Sequence, residues 1–157
     1  DFHGRNRRPP RDPFNVLLSL LYTVLQAELE ISIHGVGLDP FLGFFHVPEH
    51  GRPSLACDLA EVFRAGMDGL AVRLFAEEIL RPEDFTMDNG ACLMGKAGRM
   101  RLYPELERFM RPLRRRFHER GYAVLRELGL SGEDLHCREG EFVRLSEIED
   151  DELGNRL

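Results

Sequence analysis

Residues 13–35 read PFNVLLSLLYTVLQAELEISIHG. Apolar side chains fall on almost every face of a helix drawn through this run, the pattern of a helix buried inside a protein rather than laid on its surface. Asp12 supplies an N-cap, Pro13 sits at the first helical position, and Gly35 stops the helix after about His34. One narrow polar stripe interrupts it: Asn15, Ser19, Tyr22, Gln26 and Glu30 recur at three- and four-residue spacings and so share a face. Buried polar groups need partners. The stripe therefore either pairs with a neighbouring segment or lines a polar site. With Asn15, Gln26, Glu28 and Glu30 inside it, the run is too polar for a membrane span, and no membrane association is expected.

Working outward, residues 1–12 are extended, because Pro9, Pro10 and Pro13 exclude a helix, and they carry Arg5, Arg7, Arg8 and Arg11. Downstream, Leu38 to Arg64 reads LDPFLGFFHVPEHGRPSLACDLAEVFR. Asp39-Pro40 predicts a short helix through about Phe45, residues 46–53 a loop, and Pro53-Ser54 the start of a helix running to about Ile79. Leu55, Leu59, Val62 and Phe63 form its apolar face, with Asp58 and Glu61 on the flank. Asp88-Asn89-Gly90 marks a small hairpin near 88–94. A helical pattern resumes over about 96–128, with a kink or break expected at Pro104 and Pro112. The expected architecture is mainly α, a helical bundle around the buried helix at about 13–34. It divides into a helical domain, 1–130, and a polar, acidic, loosely ordered tail, 131–157, with a short strand over 141–145.

The chain of 157 residues is long enough for one domain with a real core. Its three cysteines are far apart and form no C-x-x-C pair, so neither a disulfide framework nor a zinc ribbon is implied, and a cytoplasmic location fits. Net charge is −6, but its distribution is uneven. Residues 96–126 set Lys96 and nine arginines against Glu105, Glu107 and Glu119, whereas 127–157 hold ten acids against three arginines. The basic run is either a solvated helix face or a nucleic-acid surface, for which arginine's bidentate fork is suited.

The chemistry-bearing residues are His46, Asp58 and Glu61. Asp58 and Glu61 are helix neighbours at i and i+3, and the short loop brings His46 towards them. One imidazole with two carboxylates suits Mg²⁺ or Mn²⁺ and phosphoryl-transfer chemistry. Separately, each has a plainer role: a core histidine, a helix-start aspartate, and a Glu61–Arg64 ion pair. His46-Val47-Pro48-Glu49-His50 also fits the H-x-x-E-H metalloprotease pattern, but that pattern needs a helix and Pro48 would break it.

The blocks RNRRPPRDPFN (5–15), LLSLLY (17–22), GLDPFLGFFH (37–46), GRPSLACDLAEVFR (51–64) and LRPEDF (80–85) stand in an order and spacing that resembles the CRISPR adaptation integrase, or "Cas-one", family up to about Leu113. The resemblance implies a metal-dependent DNA integrase or endonuclease that joins the 3′-hydroxyl ends of short DNA to a repeat boundary by transesterification. It implies His46 and Glu61 as ligands, with Asp58 as a second acid in the same catalytic site. It implies double-stranded DNA (prespacer and CRISPR repeat) and the small "Cas-two" protein as partners, a homodimer, and in some members a fused reverse transcriptase or nuclease. The family's remaining ligand is a Glu upstream of the RRPP block. Since the sequence starts at Asp1, that Glu and the family's N-terminal β-rich domain are expected to be absent and the fragment alone inactive. DNA contacts are expected at Arg5, Arg7, Arg8, Arg11, Arg99, Arg101, Arg114 and Arg115. The alternative is a non-catalytic DNA-binding or assembly module of a larger adaptation complex.

Overall fold

The computed structural model describes residues 4–6, 9–46 and 51–129. Arg7, Arg8, the end of the H-x-x-E-H pattern, the acidic tail and the strand expected over 141–145 lie outside them. Three helices and one hairpin follow in order: α1 (Pro13–Gly35), α2 (Ser54–Ala76), a 3-10 turn (Pro82–Asp84), β1 (Phe85–Asp88), β2 (Ala91–Met94) and α3 (Lys96–Glu127).

The buried helix forms as its sequence requires. Asp12 accepts a hydrogen bond from the Asn15 backbone N–H at 2.9 Å, and Pro13 opens the first turn. Leu17, Leu21, Leu25, Leu29 and Ile33 are fully buried along α1. They share a core with Leu55, Met67, Leu70 and Leu74 of α2 and with Leu102, Leu106, Met110 and Phe117 of α3. By length and composition α1 could cross a membrane; here its leucine row is the centre of the protein core. The hairpin turns at Asn89 and Gly90, both with positive φ, and pairs Asp88 with Ala91. Cys92 of β2 donates its N–H to the Pro10 carbonyl at 2.8 Å, which ties the N-terminal segment to the sheet edge.

Four expectations need correction. No helix forms over 39–45: Phe41 N–H is drawn to the Asp39 side chain at 2.9 Å, and the amides of Phe44 and Phe45 turn away to Asp58. α2 stops at Ala76, short of Ile79, because the chain reverses there, with Glu78 at φ 54° and Leu80 N–H bonded to the Leu74 carbonyl. α3 is unbroken through Pro104 and Pro112. The two prolines are eight residues apart on the exposed face, so the carbonyls they leave without a partner, those of Met100 and Arg108, are on the solvent side. Val62 is 56% exposed and does not belong to the apolar face of α2.

Candidate active site

The 38–46 segment is held against the start of α2 by backbone contacts. Pro53, at the helix N-cap, makes no side-chain cap. Instead the Pro40 carbonyl accepts the Leu55 N–H at 2.8 Å. Gly43 allows the approach: a Cβ there would lie 2.7 Å from Ser54 Cβ and 2.9 Å from Asp58 Oδ2.

Asp58 gathers the end of this segment around its carboxylate. Its Oδ2 accepts the N–H groups of Phe44 (2.6 Å) and Phe45 (3.0 Å), and its Oδ1 accepts the N–H of His46 (3.0 Å) and meets His46 Nδ1 at 2.5 Å. The carboxylate is 4% exposed. Burial alone would raise its pKa, but these hydrogen bonds outweigh burial and hold it below the usual carboxylate range. Asp58 thus fixes the imidazole by Nδ1, and among the described residues Nε2 makes no hydrogen bond. A carboxylate behind a histidine in this way sets the tautomer and orientation of a metal-binding ring.

In front of His46 is an open pocket between α1 and the first half of α2. His46, Cys57, Glu61 and Arg64 line one side, Ser19, Tyr22, Thr23 and Gln26 the other, with Arg5 and Arg52 at its edge. The polar stripe of α1 therefore takes both roles open to it. Asn15 is buried and satisfied by Asp12, the Gly4 carbonyl and Arg5, while Tyr22 and Gln26 face the pocket. Glu61 pairs with Arg64, whose guanidinium lies 4.8 Å from the Tyr22 ring centroid. Arg5 lies 5.4 Å from the same ring. The Tyr22 hydroxyl donates to Asp68. Burial and that bond raise the Tyr22 pKa, so it remains a neutral donor.

Of the predicted site residues, His46 and Glu61 face one pocket and Asp58 stands behind His46. Among the described residues, no three His, Cys, Asp or Glu side chains gather closely enough to hold a metal ion. The predicted DNA-binding arginines separate. Arg114 is clamped between Glu28 and Glu107, Arg101 takes both oxygens of Asp84, and Arg115 pairs with Glu119. Arg5 is bound to Asn15 and Ser19 at the pocket edge. Arg99, Arg111, Arg116 and Arg120 are exposed and make no ion pair among the described residues. Sequence reasoning missed Asp68, which is 46 positions from Tyr22; no local pattern joins the two.

The chain is similar in sequence and in fold to known proteins. The family described as "CRISPR associated protein Cas1" matches residues 1–108. A CRISPR-associated endonuclease Cas1 from Thermodesulfovibrio yellowstonii is 44% identical over 115 residues, 72% of this chain and 36% of that protein. A Cas4 exonuclease/Cas1 endonuclease fusion from Geobacter sulfurreducens is 41% identical over 111 residues, 70% of this chain and 20% of that protein. The chain thus spans about a third or less of the length of these relatives. In fold it is similar to the Cas1 protein TM1797 from Thermotoga maritima, with a TM-score of 0.76 and 24% identity over 82% of this chain and 44% of that one. It is also similar to a casposase bound to integration product, with a TM-score of 0.70 and 24% identity over 81% of this chain and 41% of that one.

Proposed function

Because the chain belongs to the CRISPR-associated Cas1 family, we propose that it carries part of the active site of a DNA integrase and endonuclease that inserts short DNA at a CRISPR repeat. The observation that carries this reading is the pairing of His46 and Glu61 on one pocket wall, with Asp58 fixing the imidazole from behind.

The donor chemistry fits a hard divalent ion, Mg²⁺ or Mn²⁺: an imidazole Nε2 and a carboxylate face the same space, and three arginines border it. His46 and Glu61 would hold the ion, and a further carboxylate from outside the described residues would complete the set. When bound, such an ion lowers the pKa of an attacking hydroxyl and offsets phosphate charge. The chain's own residues do the rest. Asp58 keeps His46 Nδ1 engaged and Nε2 directed outward. Arg5 and Arg64, stacked on Tyr22, offer guanidinium donors to a phosphodiester entering the pocket. Tyr22, Ser19 and Thr23 also line the pocket, but their hydroxyls already donate to Asp68 and to the Asn15 and Ser19 carbonyls, so the arginines are the donors on offer. The exposed arginines Arg99, Arg111, Arg116 and Arg120 of α3 supply a basic surface for duplex DNA. The wider assembly, a homodimer joined to a Cas2-type protein, belongs to the same proposal; one solved relative in fold is a Cas6-RT-Cas1–Cas2 complex.

A second reading, a DNA-binding or assembly module, is favoured by one fact: the described residues offer only two convergent ligands. Strand-transfer assays on the full-length protein decide. His46→Ala and Glu61→Ala should each abolish joining of a 3′-hydroxyl end while leaving duplex binding within about twofold. Undiminished joining in both variants would leave the module reading.

A further inference from the structure

Glu61 is already occupied. Its carboxylate is paired with Arg64, one helical turn along α2. Arg64 is held in turn: its guanidinium stacks on Tyr22, and the Tyr22 hydroxyl is tethered to Asp68. Both ends of the Arg64–Glu61 pair line the same pocket as His46. The Arg64 side chain is 34% exposed and that of Glu61 is 52% exposed, so both are free to exchange partners without unpacking the core.

We propose that Arg64 is a positioning residue that competes with the divalent ion for Glu61, so that loading the site requires exchange of an internal cation for an external one. The proposal rests on the reading of His46 and Glu61 as ligands. A carboxylate cannot serve both partners well: the guanidinium takes the oxygen lone pairs that an ion needs, and a fixed positive charge beside the site repels a second. Arg64 therefore weakens ion binding in the resting protein. Once the ion holds Glu61, the guanidinium remains on Tyr22 at the pocket wall, its donors free for an anionic group of a nucleic-acid ligand. The site thus prefers to be filled by ion and phosphate together.

The test measures Mn²⁺ binding to the full-length protein, from the free Mn²⁺ signal in electron paramagnetic resonance, with no DNA present. Breaking a half-exposed ion pair costs up to about 1 kcal/mol, so Arg64→Gln should bind Mn²⁺ up to about fivefold more tightly than the native protein. Arg64→Lys keeps the charge and should stay within about twofold of native. Equal or weaker binding by Arg64→Gln, with Arg64→Lys native-like, would overturn the proposal and make Arg64 a support for Glu61. A Glu61→Gln variant separates the two ideas: if it binds Mn²⁺ as tightly as native, the ligand assignment itself fails, whatever Arg64 does. Two-dimensional NMR of the arginine Nε–H groups gives a second readout, since the Arg64 resonance should move on Mg²⁺ addition in native protein and stay fixed in Glu61→Gln.

Discussion

Replacing Asp58 by Asn keeps the shape of the side chain and removes its charge, which makes it a sharp probe of how the site is held. The native carboxylate accepts from three successive backbone amides and the His46 ring, at 2.5–3.0 Å. Hydrogen bonds to a charged group contribute about 1.5–3 kcal/mol each. They do not add here, because Phe44 and Phe45 are 58% and 90% exposed and water can replace Asp58 at their amides once the loop opens. Asn retains one acceptor oxygen and turns an amide donor towards groups that are donors themselves. We therefore expect a loss equivalent to one or two of the four bonds, about 2–3 kcal/mol, or roughly 5–10 °C in melting temperature for a chain of this size. The pH dependence gives an independent check. The folded pKa of Asp58 is depressed, so its contribution is complete above the unfolded aspartate value, about 3.9, and is lost as pH falls through the folded value. Native and Asp58→Asn proteins should differ at every pH above about 4 and converge in acid. The assay is urea denaturation of both proteins from pH 7 to pH 3, with long-range ¹H–¹⁵N NMR of the His46 ring to follow its tautomer. A gap that persists unchanged at pH 3, or a His46 ring whose tautomer is the same in both proteins, would refute the account of Asp58 as the group that orients His46.

Three further outcomes are expected. Gly43→Ala places a methyl against Ser54 and Asp58 and should cost about 1–3 kcal/mol in denaturant titrations, with amide shifts concentrated at 43–46 and α2's first turn; unchanged amides there would refute the close approach. Replacing Arg99, Arg111 and Arg116 by Gln should make the slope of log affinity against log salt for duplex DNA shallower by up to about 3, whereas Arg114→Gln should leave it unchanged and lower stability instead, because Glu28 and Glu107 lose their shared cation. Asp12→Ala removes the α1 cap and its bonds to Asn15 and Asn6 and should cost about 1 kcal/mol at pH 7, less in acid, since the folded pKa of Asp12 is also depressed.

What was legible in the sequence was whatever depends on neighbours along the chain. The run of leucines with a Pro after Asp12 specified α1 and its buried leucine row, whereas packing left Thr23, Ala27, Ile31 and His34 as an exposed edge. Asn89-Gly90 specified the hairpin, because those residues accept positive φ. The GFFH and CDLAE blocks singled out His46 and Glu61, and both line one pocket. Tertiary structure decided the rest, because the deciding partners are far apart in sequence. Residues 39–45 have the capping signal of a helix, yet the amides at the end of this segment go to Asp58, a buried carboxylate on another element for which four donors outweigh one helical turn. Pro104 and Pro112 look like breaks, but α3 runs through both with their rings exposed, and a carbonyl facing solvent can bond to water instead of to the missing N–H. Arg114 reads as one more cation in a basic run; only the approach of α1 to α3 gives it Glu28 and removes it from the free surface.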